Sequence, residues 1–447
     1  MARLDQSPKT VSINDLSHDG RGVARWPDGH ANAGKTVFVS GALPGETVSV
    51  QQTARSRHFD EARTLEVIEA SPDRVVPRCP HFGVCGGCVL QHLAEDRQIA
   101  YKQQVLLDNL QRIGHVAPAS VLPPLRGDSW GYRRKGRFSV RRVEKKDKTL
   151  VGFREQDPRF VADIGECHVV VPQLGAKVAA LGALVDGLDA RRDIPQIEFI
   201  AGDDATALVF RHLQPLSDGD RAKLAAFGAE HGFALFLQPG GIDSVHPLDA
   251  DVALSFRLPE WDVALQFRPL DFIQVNASLN AAMIARALDL LDVQPGERVL
   301  DLFCGLGNFT LPLARASGDG AVVGVEGDAG LVQRARANAE RNGLGNLQFF
   351  AADLAQDLAG QPWLKAGFDK LLLDPARSGA IEVLKQLPLK GLKRIVYVSC
   401  HPGSLARDAG WLVNEAGWTL REAGVMDMFP HTAHVESIAV FDPPKKG

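Results

Sequence analysis

The feature that most constrains this chain is the apolar run Arg298-Val299-Leu300-Asp301-Leu302-Phe303. It passes through Cys304-Gly305-Leu306-Gly307-Asn308 into the helical segment Phe309 to Ala316. A strand, a glycine-rich turn and a helix stand here inside a regular strand–helix alternation that begins near residue 271. That order predicts a parallel sheet covered on both faces. In such a sheet ligands sit at the carboxyl ends of the strands, and Gly305 and Gly307 remove the Cβ atoms that would keep a nucleotide-like ligand from the backbone. The next strand, Ala321 to Val325, ends in Glu326, 19 residues beyond Gly307, where an acid suits two ribose hydroxyls. The turn reads Gly-Leu-Gly-Asn rather than Gly-x-Gly-x-x-Gly, so a dinucleotide pyrophosphate fits it poorly.

Two further strand ends carry chemistry. Leu371 to Leu373 runs into Asp374-Pro375-Ala376-Arg377, and Ile395 to Val398 runs into Ser399-Cys400-His401-Pro402. Both fall at the edge where the glycine turn lies, so Asp374, Cys400 and the turn are expected to share one cleft. A helix beginning near Gly403 or Ser404 is expected to lower the pKa of the Cys400 thiol. A thiolate there has a use. It can add to an electron-poor carbon and so make the neighbouring carbon nucleophilic, after which a base must take a proton before the thiolate can leave. The candidate is Glu436, in His434-Val435-Glu436-Ser437 just before the last strand, Ile438 to Phe441.

The rest of the chain adds at least one more domain. At 447 residues, with 45% hydrophobic and 23% charged, it is an ordinary globular composition with three domains expected: 1–70, 71–262 and 263–447. Residues 10–70 alternate in short runs broken by Asp19-Gly20, Asp28-Gly29 and Pro44-Gly45, the pattern of a small β-barrel. Such barrels often present a face to oligonucleotides. A Pro-, Cys- and Gly-rich loop over 72–92 precedes a helix over Leu93 to Arg112, within a stretch (93–125) expected to pack on the catalytic domain. Strand-like runs then dominate to about residue 262, with one helical stretch near Leu174 to Leu188, giving a central α+β domain. No run approaches a membrane span and the start, MARLDQSPKT, lacks a secretory apolar stretch, so a cytoplasmic location is expected; separately, the chain is expected to be a monomer.

Six cysteines in a cytoplasmic chain point to metal or catalysis rather than disulfides. Cys79, Cys85 and Cys88 cluster in the loop and Cys167 lies downstream, four thiolates that suit zinc or an iron–sulfur cluster equally by spacing. The net charge of −4 excludes a uniformly basic coat, but Arg126 to Lys148 holds ten basic and three acidic residues, a local +7. Trp130, Tyr132 and Phe138 stand among those cations, which fits phosphate neutralisation combined with base stacking.

Taken together, Phe272-Ile273-Gln274-Val275-Asn276, Asp301 to Asn308, Leu373 to Arg377, Ser399 to Pro402 and His434-Val435-Glu436 resemble the motif series of the RNA uracil-5 methyltransferase family. The barrel is similar to a TRAM domain and the cysteines to the cluster site of the ribosomal members. The resemblance implies a class I, Rossmann-like methyltransferase domain using S-adenosylmethionine, with Cys400 as nucleophile and Glu436 as base, acting on uracil 1939 of large-subunit 23S ribosomal RNA. It implies cofactor contacts from Gln274, Phe303, Asn308, Glu326, Asp374 and Asp353, the last at the end of a third strand, Gln348 to Ala352. It favours a structural [4Fe–4S] cluster on Cys79, Cys85, Cys88 and Cys167, and RNA contacts from Arg133, Arg134, Lys135 and Arg137. The commoner family form has Asn after the nucleophile, where this chain has His401. A methyltransferase acting on a small molecule or protein, or a non-catalytic RNA-binding protein that keeps the fold, are the rival readings.

Overall fold

The computed structural model describes residues 7–444, and contacts divide the chain into two units. The first takes the chain up to Lys102 together with Phe153–Ala162 and Phe429–His434. The second takes Gln103–Gly152, Asp163–Met428 and the chain from Val435.

In the first unit the alternating runs become strands. Lys9–Ser12, Asp15–Leu16, Gly22–Arg25, Thr36–Ser40, Thr47–Arg55 and Phe59–Glu69 form one six-stranded sheet. Every second residue of Thr36–Ser40 and of the start of Thr47–Arg55 is buried, as a one-faced sheet requires. Val11, Ala24, Val37, Val48 and Ala62, from five of the six strands, share one core with Trp26, so the sheet curls on itself as a barrel does. The helix expected after the cysteine loop spans Glu95–Asn109.

The central part of the second unit is a six-stranded sheet in the order His246–Pro247, Phe233–Gln238, Thr206–Arg211, Gln196–Ala201, Lys135–Val143, Lys148–Gly152. The sequence reading expected a single helical stretch here. The structure divides it into two helices, Pro172–Gly175 and Val178–Asp186, and adds a third, Asp218–His231. Ser217 caps that helix by accepting the Asp220 N–H (3.1 Å), and Gly232 closes it at φ +71°. The helix is the crossover that lets Thr206–Arg211 and Phe233–Gln238 pair in parallel.

The catalytic part runs α1 (Ala277–Leu291), β1 (Val299–Leu302), α2 (Thr310–Ala316), β2 (Val322–Glu326), α3 (Ala329–Arg341), β3 (Leu347–Ala351), β4 (Lys370–Leu373), β5 (Arg394–Ser399), α4 (Pro402–Asn414), β6 (Thr419–Met426) and β7 (Glu436–Asp442). The sheet order is β3-β2-β1-β4-β5-β7-β6, with the short strand Ser120–Val121 outside β6. The first five strands are parallel, as expected. The last pair corrects the all-parallel expectation: β7 runs antiparallel between β5 and β6. Residues Gln103 to Gly114 belong to this unit, and Gly114 meets α4 so closely that a Cβ on it would lie 2.4 Å from the Ala406 carbonyl oxygen. Glycine at 114 and at 410 is what allows the crossing, since a Cβ on Gly410 would in turn lie 2.7 Å from the Gly114 oxygen.

Candidate active site

The turn after β1 is curled by three left-handed residues in five: Phe303 (φ +65°), Gly305 (φ +56°) and Gly307 (φ +99°). Phe303 and Cys304 both donate backbone N–H bonds to the Val325 carbonyl (2.9 and 3.1 Å), which lashes the turn to β2. Gly305 N–H donates to Glu326 Oε2 (3.1 Å), and Asp328 N–H donates to Glu326 Oε1 (3.0 Å). The acid at the end of β2 is thus fixed, with a lone pair left on each oxygen for a diol. A Cβ on Gly305 would meet nothing within 4 Å, so open space lies in front of the turn. An open cradle over a fixed carboxylate fits the nucleoside part of S-adenosylmethionine.

Beneath the turn lies Asp301, fully buried. Its Oδ2 accepts from the Thr310 hydroxyl (2.6 Å), while Oδ1 has no hydrogen-bond partner. Burial, with Asp374 and Glu326 nearby, pushes this carboxyl up to about 8. Asp374 keeps part of its surface in solvent at the end of β4, and the packing around its carboxyl pushes it up to about 7. Asn308 does not extend a bare amide into the cleft. Its side chain exchanges two hydrogen bonds with Asn280 of α1 (2.9 and 3.0 Å). The sequence reading missed Asn280, although an amide on the face that also carries Leu279, Met283 and Ile284 was a signal. Asp353 is exposed beyond β3, its Oδ1 accepting the Ala355 N–H (3.0 Å).

Gln274 is held by its backbone. Arg134 Nε donates to the Gln274 carbonyl (2.8 Å) and Lys135 Nζ to the Asp271 carbonyl (2.6 Å). This corrects the expected RNA role of Arg134, which is 4% exposed, stacked 4.6 Å over the Phe256 ring and lowered to about 10 by burial. Tyr132 and Phe138 are likewise core residues rather than stacking platforms. Arg142 pairs with Asp147 inside the basic stretch and with Asp186 outside it, and Lys148 pairs with Asp163 (2.6 Å), so Asp163 and Asp186 take up part of its charge. Arg137 and Arg141 are exposed, and Arg133 is half-buried.

Cys400 and Glu436 come together through strand register. Ser399 of β5 opposes Ser437 of β7, so one step further the antiparallel pair brings Cys400 level with Glu436. Glu436 is 8% exposed. The expectation that a helix N-terminus would lower the Cys400 pKa is overturned: burial, then Glu436 and Asp374, push the thiol up to about 11, and Arg377 only partly opposes them. His401 is the N-cap of α4, its Nδ1 accepting the Ser404 N–H (3.1 Å), a task Asn performs equally well. The Asp374–Ala380 loop is pinned by a second group the sequence did not reveal. Buried Asp408 accepts from Ala380 N–H and from the Tyr397 hydroxyl (2.7 Å each), and Arg407 Nη2 donates to the Ser378 carbonyl (2.8 Å).

The remaining cysteines are not joined by disulfides. Cys304 is buried and raised well above the ordinary thiol range by burial, which makes it a packing residue. In the first unit the loop of Cys79, Cys85 and Cys88 is tight enough that a Cβ on Gly86 would lie 2.9 Å from the Glu155 carbonyl oxygen. Among the described residues, no group of three or more His, Cys, Asp or Glu side chains is arranged to hold a metal ion. No helix among the described residues is long and apolar enough to cross a membrane.

Sheet order, glycine turn, fixed acid and strand-end thiol together define a class I methyltransferase domain joined to a small β-barrel. Residues 253–442 match the family described as tRNA (Uracil-5-)-methyltransferase, and residues 7–63 match the TRAM domain. The chain is 71% identical over 441 residues to the 23S rRNA (uracil(1939)-C(5))-methyltransferase RlmD of Xanthomonas euvesicatoria, covering 98% of each. It is 71% identical over 442 residues to the protein of the same name from Stenotrophomonas maltophilia strain K279a, covering 99% of this chain and 98% of that one. The tRNA (uracil-54, C5)-methyltransferase of Pyrococcus abyssi, solved with S-adenosyl-L-homocysteine, shares the fold at a TM-score of 0.74 and 24% identity, over 97% of this chain and 99% of that one. The chain belongs to the RlmD family of RNA uracil-C5-methyltransferases, enzymes dependent on S-adenosylmethionine.

Proposed function

We propose that this chain methylates C5 of uracil 1939 of 23S ribosomal RNA, the reaction named for its 71%-identical relatives. The observation that carries the chemistry is the register that sets Cys400 beside Glu436 at the carboxyl end of β5. S-adenosylmethionine, when bound, supplies a methyl group on a sulfonium centre. Glu326 and the Gly305–Gly307 turn hold its nucleoside, with Phe303, Asn308, Gln274, Asp353 and Asp374 around it. Cys400 Sγ, as thiolate, adds to C6 of the uracil and forms an S–C6 bond, moving the electron pair to C5. C5 takes the methyl group as the S–CH3 bond breaks. Glu436 removes the C5 proton, the electron pair re-forms C5=C6, and the S–C6 bond breaks to return the thiolate. Burial, with Glu436 and Asp374, keeps the Cys400 thiol protonated in the isolated chain.

The target base must be unstacked to expose C6, at a cost of a few kcal/mol. Exposed Arg137 and Arg141, with half-buried Arg133, are the proposed phosphate contacts, while Lys135 spends its ammonium on the Asp271 carbonyl. Acting on ribosomal RNA implies a cytoplasmic site of action. The [4Fe–4S] reading rests on its donor set alone, the thiols of Cys79, Cys85, Cys88 and Cys167, and no step runs through it. Iron and acid-labile sulfide content of anaerobically purified chain tests it.

The decisive experiment incubates the chain with labelled S-adenosylmethionine and unmodified 23S RNA and maps the methylated base. Cys400→Ala should abolish transfer while cofactor binding persists; turnover surviving that change overturns the mechanism.

A further inference from the structure

Helix α3 begins just after Glu326 and turns Val332, Ala335 and Ala339 inward, an apolar face on which Asn338 is fully buried as well. A buried amide costs stability unless its polar atoms find partners. Asn338 Oδ1 accepts the Gln266 N–H (2.9 Å), and Nδ2 donates to the Gln266 carbonyl (3.1 Å) and to the Leu306 carbonyl (3.2 Å). Leu306 stands between Gly305 and Gly307, in the middle of the turn after β1. Asn342, four residues on, repeats half of the pattern: Oδ1 accepts the Ala264 N–H (2.9 Å) and Nδ2 donates to the Ala264 carbonyl (2.8 Å). Four residues of helix rise about 6 Å and two of strand about 6.6 Å. The two amides therefore meet alternate residues of the strand Val263–Phe267, as a neighbouring strand would.

Arg334, one turn before Asn338, pairs with Asp271 (2.6 Å), whose Oδ2 also accepts the Arg268 N–H (2.7 Å). One face of α3 thus fastens the chain from Ala264 to Asp271, three residues short of Gln274. Arg334 and Asn342 bind that chain, and Asn338 joins it to the turn. A turn with left-handed residues at 303, 305 and 307 is held by its surroundings rather than by its own preference. Packing by itself calls for an apolar side chain at 338, as at the other buried positions of α3, and not for an amide shared between two backbones.

We propose that Asn338 is a positioning residue for S-adenosylmethionine, holding the Gly305–Gly307 turn and the chain that carries Gln274 in one fixed arrangement. The proposal rests on the reading that the turn, Glu326 and Gln274 hold that cofactor. Fully buried, Asn338 touches neither cofactor nor RNA and acts through Leu306 and Gln266. Without the Leu306 bond the turn relaxes in the empty protein and binding must order it again, so affinity falls. Asn342 fastens the same strand through Ala264 and serves as the control, because losing its bonds costs stability without loosening the turn.

The test titrates S-adenosylmethionine calorimetrically into the full chain without RNA, comparing wild type, Asn338→Ala, Asn342→Ala and Glu326→Ala well below their melting temperatures. Expected is a dissociation constant about tenfold higher in Asn338→Ala and within about twofold of wild type in Asn342→Ala. Wild-type affinity in Asn338→Ala, or an equal loss in both asparagine variants, overturns the proposal while leaving the cofactor reading intact. Wild-type affinity in Glu326→Ala overturns that reading, and the proposal with it. Should Asn338→Ala not fold, amide hydrogen exchange of the wild type decides. Saturating cofactor should slow exchange at the Gln266 N–H about tenfold more than at the Ala264 N–H. A Gln266 N–H slowed no more than that of Ala264 overturns the proposal.

Discussion

The thiol of Cys400 titrates near 11, against an ordinary value of 9.0, because burial and the charges of Glu436 and Asp374 outweigh Arg377. At pH 7 a thiol of that pKa is ionised in about one molecule in ten thousand, and an ordinary one in about one in a hundred. In the absence of cofactor and RNA, Cys400 should therefore react with iodoacetamide about a hundredfold more slowly than an unperturbed thiol. Its rate should rise about tenfold per pH unit up to the highest pH at which the protein stays folded. Glu436→Gln and Asp374→Asn each remove a negative charge that raises the thiol, so in both the profile should move to lower pH, further for Glu436→Gln, the larger of the two effects. The assay is a pH series of short alkylation pulses read by peptide mass spectrometry at Cys400. A rate that levels off below pH 9, or a profile that ignores both substitutions, refutes the reasoning.

Other consequences follow from buried groups. Asp301 stays protonated in the fold up to about pH 8 but ionises near its ordinary 3.8 once unfolded, so its contribution to stability is complete below that lower value and is lost as pH rises through 8. Asp301→Asn should accordingly melt higher than wild type above pH 8, with the gap closing toward pH 4, as read by thermal melts across that range. Asp408→Ala leaves Tyr397 and the Ala380 N–H unsatisfied in the core and should cost about 2–3 kcal/mol in denaturant unfolding. Arg137→Glu should weaken RNA binding and flatten its salt dependence without changing cofactor affinity. Arg134→Met, by contrast, should lower cofactor-dependent turnover through Gln274 while leaving that salt dependence alone; equal salt slopes for the two variants contradict this division.

Much of the site was legible because its residues lie at strand ends, which period and punctuation reveal. The glycine turn, Glu326, Asp374 and Cys400 all sit where a βα alternation puts ligand-facing groups, and the structure keeps them there. The illegible parts depend on residues far apart in the chain. The Asn280–Asn308 exchange spans 28 positions and the Lys102–Phe429 bond 327. The basic stretch misled for the same reason, since whether Arg134, Tyr132 and Phe138 face water is decided by what packs on Lys135–Val143 rather than by the stretch itself.

By itself the sequence determined the strand–helix alternation of the C-terminal part and the strands of the barrel, because hydrophobic period, glycine turns and capping residues act over a few positions. Only the tertiary structure decided that β7 runs antiparallel beside β5, and with it that Glu436 reaches Cys400. It also decided the sign of the thiol's pKa shift. That sign is a balance between desolvation and the charges of residues brought together by folding, and no local pattern encodes that balance.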